Sequence, residues 1–469
     1  MKRYVIVGGG AAGLTLAYYL CKAGMPVTVI EREAEVGGLS RSFHYGDWCF
    51  DIGPHRFFSQ NPQVNRFLRE IHGDQFAVIP RFSLVYFMGH YHDWPLRLET
   101  IFKLPFRVAC SAGIDMLFKT KRSGGDDASF ETYVLRRYGR TLYNTFFKEY
   151  TEKFVGIPAA TIHRNWAQAG IERATIDNTA STASLFDIFK LMLLPKKAEL
   201  NFLYPLKGGI CAFWENCRNK IEALGGEILT NCEVSDIKLG QDSHGHPVVE
   251  AVDTTRGPLE CQELAWGASI NTLANQLELS PTTLDYRAQI ICNIELSRPP
   301  LQNSQWCYYG AKDLLFSRTS NPANFSSNSV PSGKGALCVE LTCQYQDALW
   351  DDPQKMQPRL LKELKEVGAI DEGCEVENCH MEKIREAYPI YSLDYIDRLN
   401  KFIGECGRFD NLSLLGRTGR FWYNNLDHSI ENSLSTTLEY LKKSGNNSAQ
   451  AQAVLHELEQ IPESSQSSS

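Results

Sequence analysis

The chain has 469 residues, 43% of them hydrophobic and 22% charged. This length exceeds the roughly 250–300 residues at which a single core stops growing, so we expect two or more domains, and the composition excludes a chain that is disordered throughout. The formal net charge of −7 argues against a general nucleic-acid partner, since no stretch rich in Lys and Arg stands out to neutralise a phosphate backbone.

The N-terminal residues predict a βαβ unit. A β-branched run from Arg3 to Val7 is followed by a segment with helical spacing, and Pro26 to Ile30 forms a second apolar strand that ends at Glu31. The intervening turn has the spacing G-x-G-x-x-G, with Gly8, Gly10 and Gly13. The first glycine permits a tight turn, the second lets the backbone approach a pyrophosphate, and the third lets the helix pack on the strand. Because the terminal acid can accept ribose hydroxyls, the unit predicts dinucleotide binding.

A second glycine pair, Gly37-Gly38, follows soon after the acidic strand end. It resembles the second glycine motif of the flavoprotein superfamily that contains amine oxidases, protoporphyrinogen oxidase and UDP-galactopyranose mutase, where the pair lies along the pyrophosphate and ribityl chain. The resemblance implies FAD as the cofactor, with NAD(P)H as a candidate reductant. The residues of this segment that it assigns to the cofactor are Glu31, Arg32, Gly37, Gly38, Leu39 and Arg41.

The segment Asp51-Ile-Gly-Pro-His55 is similar to the Gly-Pro-His segment of bacterial UDP-galactopyranose mutases, which passes close to the flavin ring. The resemblance implies that His55 contacts and positions the cofactor rather than transferring a proton. A lone histidine outside such a match is more often a structural hydrogen-bonding residue. No catalytic side chain is assigned, because flavin N5 is expected to be the reactive atom.

Several later segments resemble the substrate-binding parts of these mutases. The resemblance implies that one ring stacks on the uracil, that an arginine pairs with the diphosphate, and that two tyrosines hydrogen-bond phosphate oxygens. The residues at these positions are, in that order, Tyr150, Arg318, Tyr388 and Tyr423. A planar guanidinium binds phosphate bidentately, and tyrosines supply hydroxyl donors on stiff side chains. Taken singly, each tyrosine is more often a packing residue than a ligand.

A glycine turn after Tyr204 precedes an amphipathic helix to about Ala223, and a second glycine turn precedes a strand that reaches Val234. In the superfamily this stretch returns the chain to the nucleotide domain. The resemblance implies that Val234 lies near the adenine through its backbone. An apolar strand residue would equally suit any core.

Near the C-terminus, Gly416-Arg417 opens a segment that looks like the Gly-Arg segment of the mutases and runs without gaps into a predicted helix near Asp427. Such a helix would aim the positive end of its dipole at the flavin pyrimidine edge, and Arg417 would add a fixed positive charge. The resemblance assigns to the cofactor Gly416, Arg417, Asn424 and Asn425. An aromatic-rich turn that packs a terminal helix would explain the aromatic residues but not the order of the whole segment.

Three positions depart from the mutase pattern. Val155 stands where a tryptophan is expected beside the sugar, Asn425 replaces an acidic residue, and residues 166–173 do not clearly preserve a second phosphate-binding arginine. The stretch over 147–166 also resembles a broad group of bacterial oxidoreductases that are related to protoporphyrinogen oxidase and often linked to glycan pathways. The resemblance therefore identifies the superfamily and leaves the reaction open.

The leading hypothesis is a mutase-like FAD enzyme that acts through flavin N5 on a phosphorylated, nucleotide-linked sugar, without net electron transfer. The alternative is an FAD-dependent oxidoreductase, an oxidase or desaturase of the protoporphyrinogen oxidase or amine oxidase type, in which a hydride passes to the flavin. A third class, Rab-escort-like binding proteins of this fold that lack flavin, is disfavoured by the intact glycines and Glu31.

The predicted fold is α/β (α+β), with a Rossmann-like FAD-binding domain of the glutathione-reductase-2 type built from discontinuous segments. Residues 1–95, 205–270 and 405–443 are assigned to that domain, residues 96–204 to a helical substrate-side segment, and residues 271–404 to a sheet-containing substrate domain. Strands are predicted over 288–296 and 336–342, and a helix over 356–367. The polar composition of 444–469 predicts a largely disordered tail.

Cysteine usage and hydropathy bear on location and partners. The 14 cysteines lack a C-x-x-C pair, so free thiols and no metal site are expected, and the histidines of the loop over 243–246 are expected to cap a hairpin. No secretory signal or membrane span is recognised, which favours a cytoplasmic protein with a small-molecule substrate. Peripheral membrane contact through residues 101–117 or 185–195 is an alternative to packing in the core.

Overall fold

The computed structural model describes residues 3–94, 106–117, 128–167, 201–279 and 284–460. Its strands are β1 (Arg3–Val7), β2 (Val27–Ile30), β3 (Ser42–Tyr45), β4 (Trp48–Asp51), β5 (Phe76–Pro80), β6 (Ser83–Phe87), β7 (His90–Trp94), β8 (Asn201–Pro205), β9 (Glu227–Leu229), β10 (Val234–Gln241), β11 (Pro247–Thr254), β12 (Gly257–Trp266), β13 (Tyr286–Leu296), β14 (Trp306–Tyr309), β15 (Arg318–Ser320), β16 (Gly335–Cys343), β17 (Val376–Pro389) and β18 (Leu412–Leu414). The longer helices span Ala11–Lys22, Pro62–His72, Phe106–Leu117, Phe130–Leu142, Lys148–Val155, Cys211–Ala223, Ile270–Gln276, Gln357–Glu366, Tyr395–Cys406, Leu426–Ser444 and Ala449–Glu459. Shorter helical turns cover Tyr143–Phe147, Asn165–Ala167, Ala348–Asp351 and Gly416–Gly419.

The first sheet has a parallel core in the order β18–β12–β1–β2–β9. β1 and β2 are short apolar runs that are almost entirely buried, as central parallel strands covered by helices are. β10 and β11 add an antiparallel meander to the first half of β12. The helix Ala11–Lys22 packs against the helices Cys211–Ala223 and Leu426–Ser444. Three distant parts of the chain therefore build one Rossmann-like layer, which confirms the predicted fold class.

The second sheet has the order β17–β13–β16–β15–β14–β6–β7 and is antiparallel except where β14 runs parallel to β6. Alternate side chains of β13, such as Ile290 and Cys292, share a core with Leu360 and Leu364 of the helix Gln357–Glu366. Ile291, on the opposite face, belongs to the core that also contains residues of β1 and β12. The sheet therefore has one face on its own helix and the other toward the first sheet.

Most predicted elements form close to their expected bounds. β1 has its predicted bounds, β13 and β16 contain the strands predicted over 288–296 and 336–342, and the helix Gln357–Glu366 fills the interval 356–367. The loop over 243–246 joins the antiparallel strands β10 and β11, as predicted. The strand predicted to reach Val234 is broken, because Asn231 adopts a φ of 48° between β9 and β10.

Two parts of the predicted organisation are corrected. Where a largely disordered tail is predicted, the helix Ala449–Glu459 forms, since Ala451, Val454 and Leu458 are buried in a core that also contains residues of β1 and β2. Within the predicted FAD segment 1–95, β6 and β7 belong instead to the second sheet, because β6 pairs with β14. The division of the remaining chain into domains stays a prediction.

The two stretches considered for membrane contact differ in what the structure shows. Residues 185–195 lie outside the described residues, as do 168–173 and 461–469. Over Phe106–Leu117 the chain is a helix on which Phe106 and Ile114 are exposed. Within the five described ranges, the helices are too short or too polar to cross a bilayer. All 14 cysteines are free thiols, as predicted.

Candidate active site

The N-terminal end of the helix Ala11–Lys22 forms an uncapped cradle at the carboxyl ends of β1 and β2. Gly10 is the N-cap, and no side chain caps the helix. The Gly8 N–H donates to the Ile30 carbonyl over 2.8 Å, which continues the pairing of β1 with β2 to the start of the turn. A helix N-terminus binds phosphate because its N–H groups and its dipole both favour an anion. The cradle is therefore suited to the pyrophosphate that the sequence predicts.

Two glycine loops meet at this cradle. Gly10 and Gly37 form an isolated parallel bridge. A Cβ at Gly38 would lie 3.0 Å from the Gly10 Cα, and a Cβ at Gly13 would overlap the carbonyl oxygen of Gly8. The close approach of the two loops explains why both glycine motifs are needed at once.

Glu31 lies at the end of β2 with 7% of its surface exposed. Its Oε2 accepts from the Gly9 N–H over 2.7 Å, and its Oε1 accepts from the Glu33 N–H over 2.9 Å. Burial raises the pKa of this carboxyl, and the two backbone hydrogen bonds oppose the shift. Each oxygen keeps a further lone pair, which suits ribose hydroxyls. The Cys232 N–H donates to the Glu31 carbonyl over 2.9 Å, which brings Val234, the first residue of β10, toward this edge.

The other predicted cofactor residues of this segment differ in exposure. Arg41 donates to the Gly38 carbonyl over 3.4 Å and lies 3.9 Å from Glu33. Leu39 packs against the core. The Arg32 side chain is 65% exposed and pairs with Glu33, so it faces solvent. Their predicted contacts with the cofactor stay predictions.

His55 lies close to two arginines. Burial, and then the positive charges of Arg417 and Arg318, lower the pKa of His55 to about 3, so its ring is neutral near pH 7. Its Nδ1 is buried and has no hydrogen-bond partner among the described residues. An orphaned nitrogen on a neutral ring suits a hydrogen bond to a bound group, which is the positioning role that the sequence predicts.

Arg417 lies against two tyrosine rings. Its guanidinium carbon lies 5.5 Å from the ring centroid of Tyr388 and 5.4 Å from that of Tyr423. The guanidinium donates to the Ala387 carbonyl over 3.3 Å and to the Asn424 carbonyl. The predicted fixed positive charge is therefore held by backbone acceptors, which leaves it uncompensated by these partners.

The segment after Arg417 leads into the helix Leu426–Ser444. Asn425 is its N-cap, and the Asn425 N–H donates to His428 Nδ1 over 3.3 Å. The buried Asn424 side chain donates to Ser429 Oγ over 3.0 Å. A Cβ at Gly416 would lie 3.0 Å from Ala12 Cβ, so this segment reaches the helix that carries the glycine cradle. The asparagines organise the helix start, and their cofactor contacts stay predictions.

Three of the predicted substrate residues belong to one aromatic cluster, which we treat as the wall of a substrate cleft. The rings of Tyr388 and Tyr423 are 5.3 Å apart, and Trp166 stacks on Tyr423 at 5.0 Å. Phe154 lies 4.8 Å from Tyr388 and 5.8 Å from Tyr150. The structure thus brings Tyr150, Tyr388 and Tyr423 together, although they come from distant parts of the chain. Val155, at the position where a tryptophan is expected beside the sugar, is 1% exposed in the core.

Arg318 lies beside Tyr388 but has a carboxylate partner of its own. Arg318 and Glu340 are register partners across β15 and β16. Their side chains form two charge-assisted hydrogen bonds, of 2.5 and 2.7 Å, and Glu340 is 1% exposed. Arg318 Nη2 also donates to the Tyr388 hydroxyl over 3.3 Å. The ion pair offsets much of the positive charge that the sequence predicts for a diphosphate site.

Sequence reasoning missed Glu340 and Tyr308. A carboxylate inside the otherwise buried, apolar strand β16 is the signal that could have revealed Glu340, because buried carboxylates require a partner. The Tyr308 ring lies 5.8 Å from the Arg318 guanidinium carbon and 6.2 Å from the Tyr150 ring. It therefore links the cleft to the arginine.

A surface cluster near the loop over 243–246 brings three possible metal ligands within 4.8 Å of one another. They are Asp242, His246 and Asp410. Exposed acidic groups of this kind are common without a metal, and we assign no ion to them.

The sequence matches the protein family described as flavin containing amine oxidoreductase over residues 11–372, well over half of the chain. The chain belongs to this family. Its cofactor is FAD, and the protein is a flavin-dependent enzyme. The uncapped glycine cradle, the Glu31 carboxylate and the orphaned His55 nitrogen fit this cofactor. FAD supplies the N5 atom through which electrons or a hydride are exchanged.

Both sequence alignments and structural comparison relate this chain to known flavoproteins. An L-amino-acid oxidase of Crotalus adamanteus is 46% identical over 69 residues, 15% of this chain and 13% of that protein. A protein of Klebsiella pneumoniae named "Probable UDP-galactopyranose mutase" is 28% identical over 176 residues, 35% of this chain and 44% of that protein. Each of these two alignments thus spans less than half of the relative's own length. A structure of reduced UDP-galactopyranose mutase has a TM-score of 0.79 and 18% identity, covering 98% of this chain and 100% of that chain, which shows the same fold.

Replacing Gly13 with alanine should abolish FAD retention. The added methyl group would overlap the Gly8 carbonyl oxygen, so the helix must move from β1 at a cost of about 1–3 kcal/mol, and the cradle is lost. The measurement is the flavin absorbance of the purified protein. Gly404→Ala is the matched control, because a Cβ there meets nothing within 4 Å. A Gly13→Ala protein as yellow as the Gly404→Ala protein would contradict the expectation.

Proposed function

We propose that this FAD enzyme acts on a phosphorylated, nucleotide-linked sugar with UDP-galactopyranose mutase-like chemistry at flavin N5. The observation that carries the proposal is the placement of Arg417 against both Tyr388 and Tyr423, in an aromatic cluster that continues through Phe154 to Tyr150. A nucleotide diphosphate requires hydroxyl donors and a fixed positive charge for its phosphates and an aromatic face for its base. The cleft offers the hydroxyls of Tyr388 and Tyr423, the charge of Arg417 and the ring of Tyr150 as neighbouring groups.

The roles proposed for the cleft residues follow from their surroundings. Tyr150 takes the base by stacking, and the hydroxyls of Tyr388 and Tyr423 donate to phosphate oxygens. Arg417 supplies positive charge, since it is held by carbonyls rather than by a carboxylate. His55 orients the cofactor as a neutral ring.

The second candidate function is an FAD-dependent oxidoreductase of the protoporphyrinogen oxidase or amine oxidase type. The observation that favours it is the ion pair of Arg318 with buried Glu340, which leaves the cleft with less free positive charge than a diphosphate site requires. The stacked rings of Trp166 and Tyr423 also suit a flat, apolar substrate.

The two chemistries are separated by the redox state in which product forms. The purified protein, with and without dithionite, is mixed with UDP-galactopyranose and the products are separated. A furanose product that forms only with reduced flavin supports the mutase. Bleaching of the oxidised flavin by an added amine or porphyrinogen, without dithionite, supports the oxidoreductase and overturns the mutase.

Substitution of the tyrosines locates the substrate in the cleft. Tyr388→Phe and Tyr423→Phe should each weaken UDP binding by about tenfold, because one charge-assisted hydrogen bond to phosphate is lost. Tyr345→Phe is the matched control, since Tyr345 lies against Trp350 in the second sheet's own core. Unchanged UDP affinity in both cleft variants would contradict this placement.

A further inference from the structure

Two arginines outside the predicted substrate residues converge on one indole ring. The guanidinium carbon of Arg56 lies 5.0 Å from the ring centroid of Trp306, and that of Arg81 lies 5.4 Å from the same centroid. Arg56 also lies 5.7 Å from the Phe202 ring. Both arginines are half-buried, so solvent reaches them, whereas Trp306 is buried. One indole ring is therefore in contact with two cations at an accessible position.

The backbone around Arg81 is rigid. Arg81 occupies the turn between β5 and β6, and Gln305 clamps that turn from both sides. The Gln305 side chain accepts from the Phe82 N–H over 2.5 Å and donates to the Pro80 carbonyl over 3.1 Å, while the Gln305 N–H donates to the Phe82 carbonyl over 3.0 Å. This arginine is thus placed by strand pairing rather than by a mobile loop.

Arg56 is fixed by the residue that follows it. Phe57 forms a bridge with Leu203, and the two exchange backbone hydrogen bonds of 3.0 and 2.8 Å. Arg56 also directly follows His55, so the chain connects it to the cleft.

Among the described residues, the two guanidinium groups have no carboxylate at ion-pair distance, and Asp427 acts on Arg56 only from farther away. In the part of the chain that the structure describes, neither Arg56 nor Arg81 forms an ion pair with a carboxylate, and Arg81 Nε donates only to Ser83 Oγ over 3.3 Å. Burial and then the charge of Arg81 lower the pKa of Arg56 to about 10, while Tyr308 and Asp427 oppose the shift. Two neighbouring cations in a partly desolvated position repel each other, and a bound anion would remove that repulsion.

The pair continues a row of arginines along one face of β14. Trp306 and Tyr308 are two residues apart and so lie on the same face, roughly 7 Å from each other. Arg318 lies over Tyr308, as Arg56 and Arg81 lie over Trp306. The difference is that Arg318 is paired with Glu340. Positive charge without a carboxylate at ion-pair distance therefore lies at the Trp306 end of the row.

We propose that Arg56 and Arg81, held on Trp306, form an anion-binding site that takes a phosphate or diphosphate group of a nucleotide ligand at the edge of the cleft. The choice of a nucleotide ligand rests on the proposed function, whereas the anion site itself rests on the two arginines. The guanidinium forks bind phosphate oxygens bidentately, which explains why arginine rather than lysine stands at both positions.

The test uses the full-length FAD-bound protein and titrations with inorganic pyrophosphate, UDP and NADPH. Arg56→Met and Arg81→Met should each weaken pyrophosphate binding by about tenfold or more, and Arg56→Lys by less, since it keeps the charge but loses the fork. Arg385→Met is the matched control. Arg385 is an exposed arginine of β17 whose guanidinium carbon lies 4.3 Å from the centroid of the Tyr345 ring. Flavin absorbance and circular dichroism check that each variant is folded.

A thermal measurement separates a binding site from a structural role. Without ligand, Arg81→Met should melt at the same or a higher temperature than the native protein, because repulsion is relieved, but it should lose the stabilisation by pyrophosphate. If the variants lose affinity for UDP, the anion site binds a phosphate of the substrate. If they lose affinity for NADPH, it binds a phosphate of a reductant. Pyrophosphate affinity equal to that of the native protein in Arg56→Met, Arg56→Lys and Arg81→Met overturns the site. If UDP and UDP-sugars fail to bind while pyrophosphate binding depends on the two arginines, the proposed substrate is wrong and the anion site stands.

Discussion

Between about pH 7.5 and pH 9.5 the free energy of unfolding should fall by on the order of 5 kcal/mol or more, a large part of the total stability of a typical protein. The cause is a set of nine buried thiols, all with a pKa raised chiefly by burial or, at Cys292, by Cys379. They are Cys21, Cys49, Cys211, Cys217, Cys292, Cys307, Cys338, Cys343 and Cys406. Unfolding exposes these thiols and lets them ionise.

The free energy of unfolding falls with rising pH because the pKa values of these thiols are higher in the folded state than in the unfolded state. A thiol whose pKa is higher in the folded state stabilises the fold fully below its unfolded value, near 9, and this contribution is lost as the pH rises toward the folded value, about 11 for Cys211 and about 12 for Cys21. Each thiol then costs about 1 kcal/mol by pH 9.5, so the nine together cost on the order of 9 kcal/mol. Lys153 opposes this by about 2 kcal/mol, because burial lowers its pKa to about 8. Cys379 opposes it as well, because its hydrogen bond with Cys292 lowers the pKa of the Cys379 thiol.

Urea unfolding of the reduced protein at several pH values measures the effect. Cys217→Ala should reduce the number of protons released on unfolding by up to one, because this thiol is 0% exposed in the fold and ionises only when the chain unfolds. Cys110→Ser is the matched control, since Cys110 is exposed. Urea midpoints that do not change between about pH 7.5 and 9.5 would show that the buried thiols are not linked to folding in this way.

The cofactor domain could be predicted because its signals are local. The glycine spacing, the strands on either side and the acid at Glu31 lie within the first 31 residues, and each is required by the backbone geometry of one turn. Even the overlap that a Cβ at Gly13 would cause arises from Gly8, five positions earlier. Such short-range requirements leave a pattern that can be recognised in one sequence.

The cleft could be predicted only in part, because its decisive contacts depend on strand register. Arg318 and Glu340 are 22 residues apart and meet because β15 pairs with β16. The local sequence indicates that Glu340 needs a partner but not which residue it is, so the ion pair of the predicted diphosphate arginine was missed. In the same way, Arg81 meets Trp306 only because β6 runs parallel to β14. A polar segment that gains a few buried contacts, as Ala449–Glu459 does, is equally hidden from composition.

Arg318→Ala should lower the free energy of unfolding by about 3–5 kcal/mol, because it leaves the Glu340 carboxylate buried without its counter-charge. Glu340 is 1% exposed, and Gln289 Nε2 would remain as its hydrogen-bond donor. Burial lowers the pKa of Arg318, but the charge and hydrogen bonds of Glu340, together with Tyr388 and Tyr308, outweigh burial and raise that pKa well above its ordinary value. Urea unfolding at neutral pH measures the change.

The matched control is Arg298→Ala, which removes a surface ion pair with Asp371 whose side chains are 49% and 31% exposed, and it should cost no more than about 1 kcal/mol. Replacing both partners, as in Arg318→Met with Glu340→Met, should recover most of the stability that Arg318→Ala loses, since no buried charge is left unpaired. If the double variant loses as much as the two single variants together, the pair is not coupled. Arg318 would then be free to bind the diphosphate, as the sequence predicts, and the anion site at Arg56 and Arg81 would be an addition to it rather than its replacement.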